Sequence, residues 1–131
     1  MAQDLLRANF APWINDLALA VEETTAVGAR VRLPFSDRLC RQGGNICGQA
    51  LIAASDSAMV LAIAAASGAF RPLTTVDLTM SYMRPVIGTG ALLEARVKRL
   101  GKTIGFCTCE ITDAKAGKTA AFATGTFALL S

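Results

Sequence analysis

The sequence predicts an α+β domain in which an antiparallel sheet wraps one long apolar helix. Two observations carry that expectation. From Gly44 to about Ser67 the stretch GNICGQALIAASDSAMVLAIAAAS is almost wholly apolar and rich in alanine, which suits a helix buried on all sides. Around it lie short segments that alternate apolar and polar residues and are separated by Gly, Pro and Asp turn signals, the pattern of strands. Two such strands before the helix and four after it make an α+β order with a meander rather than alternating parallel units.

Taken in order, Gln3–Ala11 carries Leu5, Leu6 and Phe10 at near-helical spacing before Pro12, so a short amphipathic helix is expected over about 3–11. Leu17–Glu23 reads as a first strand and Val27–Leu33 as a second, with Thr24–Ala26 as their turn. In the second, Val27, Ala29, Val31 and Leu33 share one face. Pro34–Gly43 reads as a polar loop that leads into the central helix, expected over about 45–67 and stopped by Gly68. Leu73–Met83 is the next strand, with Val76, Leu78, Met80 and Tyr82 on one face and Thr75, Asp77, Thr79 and Ser81 on the other. Ala91–Leu100, Thr103–Thr112 and Lys118–Leu129 complete the meander, with turns at Gly101-Lys102 and Asp113–Gly117.

A length of 131 residues fits one domain over 1–131. The hydrophobic fraction of 53% is high, yet no uncharged run reaches the length a bilayer requires. The excess is read as surface hidden by self-association. Met1–Phe10 mixes acid and base without an apolar core, unlike a signal peptide, so a cytoplasmic location is expected. Cys40, Cys47, Cys107 and Cys109 are then reduced thiols. With 0 histidines, His triads, His metal sites and imidazole bases are excluded, and no metal or separate cofactor is expected. A net charge of +3 without a clustered basic stripe points away from nucleic acid and toward mild steering of small anions.

One residue breaks the pattern of the helix. Asp56 sits in the middle of the apolar stretch, and a desolvated carboxylate is costly unless it is paired or kept for chemistry. The alternative to chemistry is a carboxylate tied to Ser55, Ser57 or the backbone.

The order G-x-x-C-G, then Asp56 in an Ala-rich helix, then TTVDLTMSYMRP, then a hairpin with GKTIGFCTCEITD resembles the PaaI-like branch of the hotdog-fold acyl-CoA thioesterases over roughly Phe35–Leu129. The resemblance implies a hotdog domain that dimerises through its sheet, with a dimer of dimers as the fuller assembly. It also implies hydrolysis of an acyl-CoA thioester of small or medium, possibly aryl, acyl group, with coenzyme A arriving as part of the substrate. Position by position, the catalytic carboxylate falls on Asp56 and the glycine whose N–H polarises the carbonyl falls on Gly48. A hydroxyl residue that helps place water falls on Thr75, with Thr74 as its neighbour. In this family one subunit supplies the glycine and the other the carboxylate. Gly48 and Asp56 are about 12 Å apart along one helix axis, which favours the same sharing.

The chain departs from the family at the helix mouth. Cys47-Gly48-Gln49 stands where His-Gly-Gly is usual, and Arg41 replaces an upstream Asn. Cys47 is read as a packing or substrate contact, because no His exists to activate it as a nucleophile. Gln49 could donate its amide to the acyl carbonyl or pantetheine, or simply solvate the helix end. Asn45 is either the helix N-cap, competing for the N–H groups of Cys47 or Gly48, or a substrate contact. Arg84, Lys98, Arg99 and Lys102 are candidates for the CoA phosphates, with solvated strand-edge charge as the alternative. The competing function is a non-catalytic acyl-CoA-binding hotdog protein. A dehydratase of the same fold is discounted, since such enzymes rely on a His.

Overall fold

A computed structural model describes residues 2–130. Its helices are α1 (Ala2–Asn9), α2 (Pro12–Asn15) and α3 (Gly48–Ser67). Its strands are β1 (Ala20–Thr24), β2 (Gly28–Leu33), β3 (Cys40–Arg41), β4 (Asn45–Ile46), β5 (Leu73–Tyr82), β6 (Ala91–Leu100), β7 (Ile104–Asp113) and β8 (Thr119–Leu129). The two early and four late strands form one sheet in the order β1-β2-β6-β7-β8-β5, antiparallel at every junction. It curls around α3, as the α+β expectation requires, and leaves β1 and β5 as its edges.

Small side chains let helix and sheet approach closely. Ala50, Ala54, Ala58 and Ala62 of α3 are buried, and so are Ala29, Ala95, Cys107, Cys109, Ala121 and Ala123 of the sheet. Between them Leu33, Leu61, Ile63, Leu93, Ile111 and Phe127 supply the bulk. The fit is tight at Gly125, where an added Cβ would lie 2.9 Å from Phe127 Cε2 and 3.1 Å from both Met59 Sδ and Cε. By length and composition α3 could cross a bilayer, but most of it is enclosed in the protein, so its apolar surface forms the core.

Several boundaries differ from expectation, each for a local reason. The first helix ends at Asn9, because Ala11 precedes Pro12 and takes an extended conformation, after which Pro12 opens the one-turn α2. The first strand starts at Ala20, after a turn through Ala18, whose φ is 58°. The polar loop contains β3, and Gly43 (φ 96°) and Gly44 (φ 75°) turn it back into β4. Asn45 and Ile46 are therefore not helical: Asn45 pairs with Arg41, and Ile46 N–H donates to Val86 O at 3.0 Å. Helix α3 begins at Gly48 and ends in left-handed Gly68.

The alternation along β5 also fails at one point. A bulge between Thr75 and Asp77 inserts Val76 as an extra residue opposite β8, leaving it 62% exposed. Leu73 and Thr75 face the helix before the bulge, and Leu78 and Met80 face it afterwards.

Because Phe127 and Met59 are fully enclosed at Gly125, neither can yield cheaply to a new methyl group. Gly125→Ala is expected to destabilise the fold by about 1–3 kcal/mol, read as a lower denaturant midpoint at unchanged slope.

Candidate active site

The carboxylate comes from the middle of α3. Ile52, Asp56 and Val60 recur every fourth residue along the helix and are only half-buried, so this stripe is the part of α3 that the chain's own sheet leaves open. Asp56 does not lean on its serine neighbours. Ser55 Oγ donates to Leu51 O at 2.8 Å and Ser57 Oγ to Ala53 O at 2.9 Å, both within the helix. The partner of Asp56 is Thr75, whose Oγ1 donates to Asp56 Oδ1 at 3.1 Å. Thr74, one residue earlier, is exposed. Burial pushes the Asp56 carboxyl above the usual carboxylate range, and the Thr75 hydrogen bond opposes this by favouring the charged form.

The other end of the helix supplies amides. Cys47 is the N-cap residue, and its side chain caps nothing. Its own N–H donates to Leu39 O at 2.8 Å. The first helical bonds run from Ala50 and Leu51 N–H to Cys47 O, at 3.1 and 3.3 Å. The N–H groups of Gly48 and Gln49 thus lack protein partners among the described residues, and the helix dipole adds positive potential where they point. Asn45 does not compete for them, because it lies in β4.

These amides border an open cleft of about 690 Å³ lined by Arg41, Asn45, Cys47, Gly48, Gln49 and Tyr82, with Arg84 and Pro85 along the segment after β5. That segment is held to the sheet by Met83 and Arg84 N–H, which both donate to Ala120 O, at 2.8 and 3.0 Å. Cys47 and Gln49 also border a second cavity of about 300 Å³ with Trp13, Leu17, Arg38 and Leu39. The two buried thiols, Cys107 and Cys109, are pushed up to about 12 by burial, which leaves them protonated and unreactive at neutral pH. Among the described residues no group of three or more Cys, Asp or Glu side chains is placed to hold a metal ion.

Of the residues singled out from the sequence, Cys47, Gly48, Gln49, Asn45 and Arg84 come together in the cleft, while Asp56 and Thr75 form a separate pair. Lys102 joins neither within the chain. It lies in the β6–β7 turn near the far end of α3, where its carbonyl accepts from Arg71 Nη2 at 3.0 Å. The residue that sequence reasoning missed is Tyr82, which donates through its hydroxyl to Gly48 O at 2.9 Å. It is the chain's 1 tyrosine and stands at the end of the strand that also carries Thr75.

A helix enclosed by a curled antiparallel sheet, with a carboxylate midway along it and open amides at its start, places the protein in the hotdog class. The chain belongs to the thioesterase superfamily, whose profile matches residues 43–120, from β4 through α3 into β8. A Halobacterium salinarum protein that bears an esterase name by inference is 31% identical over 97 residues, or 70% of this chain. That match spans 64% of the relative's length. Among solved structures, a conserved protein of Pseudomonas aeruginosa is 28% identical with a TM-score of 0.82, over 92% of this chain and 95% of that one. A thioesterase of Haemophilus influenzae shares the fold at a TM-score of 0.88 and 15% identity, over 100% and 91% of the two chains. The Escherichia coli PaaI protein from the phenylacetic acid degradation operon does so at 0.84 and 18%, over 99% and 94%.

Burial raises the folded-state pKa of Asp56, so the native state binds its proton more tightly than the unfolded chain does. Stability is therefore expected to fall as pH rises from the ordinary carboxylate range through the raised value. Asp56→Asn, which removes the charge but retains an acceptor for Thr75, should melt at or above the wild-type temperature at pH 7. Thr75→Ala should move the Asp56 titration, followed by carboxyl 13C NMR, to still higher pH.

Proposed function

We propose that the protein is an acyl-CoA thioesterase whose active site is assembled between two copies of the chain. The observation that carries this reading is the placement of the two half-sites along β5. Thr75, bonded to Asp56, lies near its start, and Tyr82, bonded to Gly48, lies at its end. The two are about 20 Å apart along the strand, too far for one thioester to bridge. Strand β5 is an edge, with Val76, Tyr82 and Met83 exposed around it. Antiparallel pairing of β5 with a second β5 about Leu78–Thr79 would set the Asp56–Thr75 pair of one copy against Gly48 and Tyr82 of the other. It would also cover the open Ile52–Asp56–Val60 stripe. Exposed Phe106 and Phe122 on the outer face of the sheet support a further pairing of such dimers.

In this arrangement the thioester carbonyl oxygen accepts from the Gly48 and Gln49 N–H groups. The Asp56 carboxylate takes a proton from water as the water oxygen bonds to the carbonyl carbon. The negative charge that collects on the carbonyl oxygen is stabilised by the open amides. Collapse of the tetrahedral intermediate breaks the C–S bond and releases the CoA thiolate, a good leaving group that needs little protonation. Because Thr75 occupies Oδ1, Oδ2 remains to accept the proton. Arg41 and Arg84 along the cleft suit the phosphates of the CoA arm, and the reaction needs no metal or added cofactor. A cytoplasmic setting, where acyl-CoA and reduced cysteines coexist, fits this chemistry.

Thiol release across short-chain, medium-chain and aryl acyl-CoAs tests the activity. Asp56→Asn is expected to lower kcat by about three powers of ten with the fold retained. Thermal stabilisation by acyl-CoA without any thiol release would instead establish a binding protein. Sharing of the site has its own test, based on Gly48→Pro, which removes one N–H at a first helical position whose backbone admits proline, while its Cβ also crowds the Tyr82 ring. Mixed at equal amounts with Asp56→Asn, it should recover about a quarter of wild-type activity, since half of the dimers then contain one intact site. Recovery of none would place the whole site in a single chain. Single turnover in 18O-water should put the label in the released acid from the first turnover. Unlabelled first product would make Asp56 the nucleophile.

A further inference from the structure

The contact between Tyr82 and Gly48 has two parts. The phenol donates to Gly48 O at 2.9 Å. The ring also lies over the glycine, because a Cβ built there would stand 3.1 Å from Tyr82 Cζ and Oη and 3.3 Å from Cε1. Such separations are tighter than ordinary van der Waals contact. A side chain at this position would thus press on the tyrosine ring, which would have to give by a few tenths of an ångström, before any substrate is considered.

The chemistry of the peptide unit gives the contact its meaning. The carbonyl of Gly48 and the N–H of Gln49 belong to one planar amide. A donor on that oxygen fixes the plane and polarises the amide, which makes its N–H a stronger donor. Gly48 itself sits at the first helical position with the backbone freedom of a residue that lacks a side chain. The ring over its Cα restricts that freedom and with it the direction of its own N–H. No side chain caps this turn, so the usual means of holding a helix start is absent. Tyr82 is 52% exposed, and the core therefore gives little account of an aromatic residue here.

We propose that Tyr82 is a positioning residue for the oxyanion donors: its ring and hydroxyl hold the Gly48–Gln49 peptide so that both open N–H groups stay directed into the cleft. This rests on the thioesterase reading of that cleft. Tyr82 acts through the backbone and touches no reacting atom. Its contribution falls on the step in which charge collects on the carbonyl oxygen, and little of it falls on ground-state binding.

Tyr82→Phe keeps the ring and removes the donor. It is expected to lower kcat about 3- to 10-fold, the range of one neutral hydrogen bond, with KM changed less than about twofold. A second readout is the carbonyl stretch of bound 13C-labelled butyryl-dethia-CoA, a ketone in which a methylene replaces the thioester sulfur. Wild type should shift the stretch to lower frequency, and Tyr82→Phe should shift it less. Unchanged kcat with an unchanged stretch would overturn the proposal, and so would an effect confined to KM. Should Tyr82→Phe fail to fold, Gly48→Ala in a Tyr82→Leu background decides. A smaller kcat loss there than from Gly48→Ala alone supports the ring contact, and an equal loss overturns it. If the wild type hydrolyses no acyl-CoA, the thioesterase reading falls, and the stretch of the bound ketone alone decides the role of Tyr82.

Discussion

Helix α3 has no polar face, and the rest of the chain is arranged to accommodate that. A helix of this kind has to be surrounded rather than covered on one side. The sheet accordingly curls from β1 round to β5 and meets the helix through small residues on both surfaces, with Gly125 making room for Met59. One sheet does not close the circle. The remaining opening is the half-buried stripe through Ile52, Asp56 and Val60 beside edge strand β5. The same incompleteness that leaves β5 able to pair with another copy leaves Asp56 partly desolvated at the opening.

Strand β5 carries the organisation from core to site. Its single bulge at Val76 sends an apolar side chain outward and turns Thr75 inward against Asp56. Were Val76 paired in a regular ladder instead, strict alternation would put Thr75 on the face opposite Leu78 and Met80. At its far end the strand delivers Tyr82 to the first turn of α3. One strand therefore supports both the carboxylate and the amides, at points too distant to serve one substrate within a chain. Stability and proposed chemistry pull in opposite directions at both ends, since burial disfavours the charge that a base at Asp56 carries, and Gly48 keeps a flexible backbone in a turn that no side chain caps. Thr75 and Tyr82 offset those two weaknesses.

Much of this was legible from residues alone. The alanine-rich stretch and the alternating segments marked the helix and the six strands of the main sheet, because burial imposes a period of its own on each kind of element. Asp56 stood out for the simple reason that a carboxylate in an apolar helix needs an explanation. Gly48 and Thr75 follow from the family resemblance, and the structure gives each a contact that the resemblance did not specify, with Tyr82 and with Asp56. Asn45 was placed in the helix because local pattern does not register the β3–β4 pairing that takes up its backbone. Val76 reads as sharing a face with Leu78 and Met80 because alternation carries no sign of a bulge.

Which segments are buried, which way most strands face, and the presence of one carboxylate in apolar surroundings can thus be read along the chain. All of these follow from the order of apolar and polar residues along the chain. That Asp56 bonds to Thr75 rather than to its serine neighbours, that the first two amides of α3 are left open, and that Tyr82 lies across Gly48 emerge with the folded chain. The physical reason is separation in sequence. Thr75 is 19 residues from Asp56 and Tyr82 is 34 from Gly48, so these contacts exist only once β5 has found its register beside β8 and the sheet has closed on the helix.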